Sequence, residues 1–167
     1  MKKLTTALLT ATITVGALTG CQTTPQASST ATQAPAQYVT INSKLLQSYN
    51  WQLVDAKRTD GSKISSLFYN PAKPLVLNFM TDGNANRVAF MNTCNNLSAA
   101  YDIRNGGVEL SNSISTKMLC PEPQEQFDRA TMAVVQGKYS VSKRGNQPEM
   151  LTIQGPNHVA HFKAIAK

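Results

Sequence analysis

The chain has 167 residues, a formal charge of +7, three cysteines and only two histidines. Its cations are scattered, with no basic run longer than two and no aromatic and glycine signature of an RNA-binding sheet, which excludes nucleic-acid binding from the reading. His158 and His161 without a CxxC pair do not supply a zinc set, so no metal or other cofactor is expected.

The first twenty-one residues, MKKLTTALLTATITVGALTGC, place Lys2 and Lys3 before an apolar, acid-free stretch that ends in small residues. That is the layout of a secretory signal peptide over residues 1–20. The stretch is too short and too rich in threonine for a permanent membrane span, which needs about twenty mostly apolar residues. Leu18, Thr19, Gly20 and Cys21 resemble the lipobox of bacterial lipoproteins, in which the cysteine becomes the lipidated first residue of the mature chain. The resemblance implies a diacylglycerol thioether and an amide-linked acyl chain on Cys21. Each buried methylene contributes about 0.8 kcal/mol, so more than one chain anchors stably. Gln22 rather than aspartate follows the cysteine, which in such lipoproteins implies the outer membrane, with the domain facing the periplasm. Loss of the leader removes two lysines and leaves 14 Lys and Arg against 9 Asp and Glu, a net +5.

Together with Cys21, residues 22–37, QTTPQASSTATQAPAQ, form a lipidated linker over 21–37; the stretch is uncharged and has almost nothing large enough to pack. Such a segment does not offset its ordering entropy and reads as a flexible tether. Residues 38–167 then suit one domain with a single modest core.

Within that domain, alternation predicts short strands. YNWQLVDA (49–56) sets Trp51 and Leu53 on one face, and PLVLNFM (74–80) does the same with Leu75, Leu77 and Phe79. Asp82 and Gly83 open a hairpin into VAFMN (88–92). LSAAYDI, GVELSN, KYSVSK, EMLTIQ and NHVAHFKAI follow, separated by Gly, Asn and Pro clusters. The prediction is a mainly β domain, an antiparallel sheet or small cracked barrel of about eight strands.

Between the strands lie Cys94 in NTCNN and Cys120 in STKMLC. In an oxidising compartment two remaining cysteines read as a disulfide, since zinc lacks ligands and thiol catalysis needs a reduced cysteine beside a base. Asn95 and Asn96 tolerate left-handed backbone and bond neighbouring amides, so beside Cys94 they read as shaping a bulge or turn, with surface recognition as the second reading. Next, PEPQEQFDRATMAVVQG carries Phe127, Ala130, Thr131, Val134 and Val135 at helical spacing. Prolines at its start, Glu122 and Glu125 near the positive end and Gly137 as a stop predict one helix over about 124–136, packed on the sheet.

The Trp51 and Leu53 strand, TCNN after a turn, the YDI strand and STKMLCPEP leading into a helix together resemble the META domain of HslJ-like proteins over roughly 49–163. Thr93 stands where that family often has glycine. The resemblance implies a compact β domain with one helix, often on an envelope lipoprotein associated with stress or drug tolerance, and it implies no catalytic residue.

Other motifs reduce to structure. Asp82, Asn84 and Asn86 have the spacing of a calcium loop, but Arg87 replaces its glycine and Thr93 its closing glutamate. Ser140 and Lys143 stand in S-x-x-K spacing without companion motifs, and His158 and His161 fall on opposite strand faces. No enzyme signature is present, so a non-enzymatic role is expected. Two classes remain: a protein-interaction or envelope-stress factor that contacts other envelope proteins, and a binder of a small apolar ligand, lipid or drug, in a barrel cavity.

Overall fold

In the computed structural model, residues 36–167 are described. The leader, Cys21 and the tether up to residue 35 lie outside them. Nine strands form one antiparallel sheet: β1 (Gln37–Val39), β2 (Tyr49–Arg58), β3 (Val76–Asp82), β4 (Ala85–Met91), β5 (Leu97–Arg104), β6 (Gly107–Ser115), β7 (Lys138–Arg144), β8 (Gln147–Gln154) and β9 (His158–Ala166). Their spatial order is β1-β7-β8-β9-β2-β3-β4-β5-β6. Two meanders, β2 to β6 and β7 to β9, meet where β9 pairs along β2 from Tyr49 opposite Ala166 to Arg58 opposite His158. The sheet curves round its core without closing, since β6 and β1 end the series unpaired with each other.

All eight predicted strands are present, and the ninth is β1. Gln37 belongs to β1, so the predicted tether runs into the sheet rather than ending before it. β1 carries no alternating pattern of its own; it is held by the edge of β7, where Val39 lies opposite Val141.

Period two decides which side chains face inward. Trp51, Leu77, Phe79, Tyr101 and Phe162 are fully buried, each contributing roughly 1.5–3 kcal/mol by removal of its apolar surface from water. Phe79 and Tyr101 meet edge to face at 5.1 Å. The short helix α1 (Ser43–Gln47), capped by the Asn42 side chain on the Leu45 amide, covers one end of the sheet. There Trp51 Nε1 donates to the Leu46 carbonyl at 3.1 Å, and Gln47 Nε2 donates to the Tyr101 hydroxyl at 2.9 Å.

Helix α2 (Glu122–Val134) covers the other end and carries the chain from the β6 edge to β7. It begins and ends two residues earlier than the spacing predicts. Pro121 takes an extended conformation at the N-cap and Pro123 fits the first turn, where a missing amide hydrogen removes no helical bond. Phe127, Thr131 and Val134 face inward, and Phe127 meets Tyr69 edge to face at 5.2 Å behind a single 3-10 turn, Ser65–Phe68. The buried Tyr139 hydroxyl donates to the Val135 carbonyl at 2.6 Å, and its burial raises the hydroxyl pKa, keeping it a neutral donor.

Gly137 makes the turn from α2 into β7. Its φ of +152° lies outside the comfortable range of L side chains, and a Cβ there would stand 2.5 Å from the Gln154 carbonyl oxygen. Gly137→Ala is therefore expected to lower stability by about 1–3 kcal/mol through backbone displacement. Urea unfolding checks this, and an unchanged midpoint would mean that the approach of β8 is not tight.

Candidate functional site

The β4 to β5 connection builds the site. Asn92 turns the chain in the left-handed region at φ 70°, with its Nδ2 donating to the Pro74 carbonyl at 2.7 Å. Thr93 Oγ1 donates to the Phe90 carbonyl at 2.8 Å. These bonds present the backbone amides of Cys94 and Asn95 to α2, where Asp128 lies buried at 6% exposure.

One carboxylate then accepts three hydrogen bonds. Asp128 Oδ1 accepts from the Cys94 amide at 2.9 Å, while Oδ2 accepts from the Asn95 amide at 2.8 Å and from Asn95 Nδ2 at 3.0 Å. The other side of the Asn95 amide group faces the opposite way. Its Oδ1 accepts from the Met118 amide at 2.8 Å and from Thr116 Oγ1 at 3.2 Å, and Thr116 Oγ1 in turn accepts from the Asn96 amide at 3.0 Å. Cys94 and Cys120 form a disulfide with their Cα atoms 6.2 Å apart, inside the usual span. The irregular stretch after β6 is thus held by a disulfide and by side-chain bonds, not by strand pairing.

The structure gives the two asparagines specific partners beside a bend at Cys94 and Asn95. Left-handed backbone falls on Asn92, not on Asn95 or Asn96. Asn95 is a bridge between α2 and residues 116–118, and Asn96 is exposed with its amide on Thr116. Asp128, the centre of the network, is absent from the residues that sequence reasoning singles out. The signal was a carboxylate directly after Phe127 on the inward face of a helix, where a charge needs partners to be buried.

The clamped stretch presents apolar side chains to solvent. Leu119 is fully exposed and Met118 is 52% exposed, next to Ile114 near the end of β6, which is also 52% exposed. Scattered exposed apolar residues need no explanation, whereas neighbours fixed in place on one segment form a surface feature. Beside them runs an open groove of about 340 Å³ with Leu97 and Met132 in its wall, Asn95, Asp128 and Ser115 along it, and Glu125 and Arg129 at its rim. Arg129 holds both Glu125 and Glu122, the latter at 3.6 Å. Lys117 makes no ion pair among the described residues.

The remaining candidates have structural partners. Asp82 pairs with Arg87 at 3.5 Å, and Asn86 Nδ2 donates to Ser43 Oγ at 3.4 Å, so the apparent calcium spacing is spent on a hairpin and its neighbours. His158 Nε2 lies 3.0 Å from the Val134 carbonyl, and His161 Nδ1 lies 3.1 Å from Thr152 Oγ1. Among the described residues no three His, Cys, Asp or Glu side chains gather as a metal set, and no helix is long and apolar enough to cross a membrane.

A profile of the META domain matches residues 44–167. An NMR structure of a protein from Burkholderia xenovorans aligns with a TM-score of 0.65 at 18% identity, covering 86% of this chain and 100% of the other, a likeness of fold alone. A second NMR structure aligns at a TM-score of 0.47 and 19% identity, over 74% of this chain and 94% of the other. No curated protein matches the sequence.

Proposed function

Because this chain belongs to the META-domain family, we propose that it is a non-enzymatic envelope lipoprotein that acts by binding other proteins. In this reading Cys21 carries the lipid anchor in the outer membrane, residues 22–35 give the periplasmic domain reach, and envelope stress or drug exposure is the setting. The observation that carries it is the fixed presentation of Met118 and Leu119 to solvent by the Asn95 bridge and the disulfide. Holding apolar anchors in one geometry before contact removes part of the ordering cost of association. The competing reading, carriage of a small apolar ligand inside the barrel, has less support, because bulky residues such as Trp51, Tyr101 and Phe162 fill the interior.

A photo-crosslinking residue at position 119 of the full anchored chain tests the proposal in cells. Defined protein adducts are expected at 119 and not at Asn84 in the β3 to β4 turn at the far end of the sheet. Leu119→Asp is expected to remove binding of the same partners while changing stability by no more than about 0.5 kcal/mol, as for an exposed site. Equal capture at both positions, or none at 119, would defeat the reading.

A further inference from the structure

We infer that the partner taken by this surface is a second copy of the same chain, the Met118 and Leu119 projection of each copy entering the groove beside Leu97 and Met132 of the other. The inference rests on the protein-binding reading above and specifies its partner. A two-fold interface requires that one surface carry both halves of a complementary pair, so that residue i meets j and j meets i. This surface does. Ser115 lines the groove and lies three residues before Met118, and Asn95 both lines the groove and fixes the Met118 amide, so projection and groove adjoin on one face.

Charge complementarity points the same way. The projection is flanked by Lys117, whose ammonium is in no ion pair among the described residues. The groove rim bears Glu125 and Arg129, and Arg129 also holds Glu122 one helical turn before Glu125, so two carboxylates share a single cation and leave one negative charge in excess beside the groove. Docking the projection into the facing groove brings each Lys117 to the other copy's acidic rim. Acidic charge outnumbers its cation in two ion-pair clusters, Asp102 and Glu109 on Arg104 and Glu122 and Glu125 on Arg129, and the second is the one that borders the apolar groove. The Lys117 side of one copy and the glutamates of the other are matched without any further group.

The test uses the full lipidated chain with a photo-crosslinker at 119 and two differently tagged copies in one cell. A crosslinked species containing both tags is expected, with the adduct on peptides bearing Leu97 or Met132. Lys117→Glu alone sets glutamate against the acidic rim, and Glu125→Lys alone sets lysine against Lys117. Each is expected to lower dimer yield on the order of tenfold. Co-expression of the two variants restores attraction at both contacts, so mixed-tag dimers should recover. Adducts only to other proteins would overturn the self-association and leave the protein-binding reading intact, whereas no adduct at all would end both. Mixed-tag dimers mapping outside the groove, or failure of the mixed variants to recover, would also overturn it.

Discussion

Asp128→Ala is expected to destabilise the domain by about 3 kcal/mol, more than an exposed or singly bonded carboxylate would. Removal of the side chain leaves the Cys94 and Asn95 amides and Asn95 Nδ2 without their acceptor. A buried donor stranded in this way costs about 1–3 kcal/mol, and water entering the space left behind recovers part of the sum. Asp128→Asn retains one carbonyl oxygen but turns an NH₂ toward amide donors, so roughly half the loss is expected. Chemical denaturation gives both values. Hydrogen exchange supplies the local signature, because the amides at 94 and 95 should lose protection in the alanine variant while those of β8 and β9 keep theirs. A loss below about 1 kcal/mol would mean that water already satisfies these donors.

The residues that made the fold legible were those whose role depends on near neighbours in sequence. Trp51 and Leu53, or Leu77 and Phe79, announce an inward face by alternation alone, and Phe127, Thr131 and Val134 announce a helix by their spacing. The start of α2 was also written locally, in Pro121 and Pro123, although the pattern reading begins it after the second proline instead of at the first. What stayed hidden depends on distant segments. β1 is three residues without a pattern, and only the β7 edge makes it a strand. Whether the sheet closes depends on how its two terminal strands lie, which no single segment records. Asp128 reads locally as a polar intrusion on an apolar helix face; its meaning appears when Cys94 and Asn95 arrive from 34 and 33 residues away. NTCNN offers three asparagines for one left-handed position, and the choice of Asn92 follows from its bond to Pro74.

Replacing both Cys94 and Cys120 by serine is expected to have the largest effect. The two residues are 26 apart, and closing a loop of that length stabilises by about 3.5 kcal/mol in the chain-entropy account, chiefly through the unfolded chain. For a domain of this size the loss corresponds to a fall in Tm of roughly 10 °C. Wild-type protein in reductant should approach the same midpoint, and reductant should leave the double variant unchanged; identical unfolding of wild type and variant would refute a stabilising disulfide. The effect is not independent of Asp128, because both fix the same junction. Cys94 gives its amide to Asp128 and its sulfur to Cys120, while Asn95 Nδ2 lies 3.3 Å from the Cys120 sulfur. Once the disulfide is gone, residues 116–120 are tethered mainly through Asn95, and the carboxylate holds a loop that already moves. The triple variant should therefore lose less than the two separate effects added, by about 0.5–3 kcal/mol, the range seen for residues sharing one network. Strict additivity would mean that the carboxylate and the disulfide stabilise the domain separately, the carboxylate by satisfying amides and the disulfide by shortening the unfolded chain.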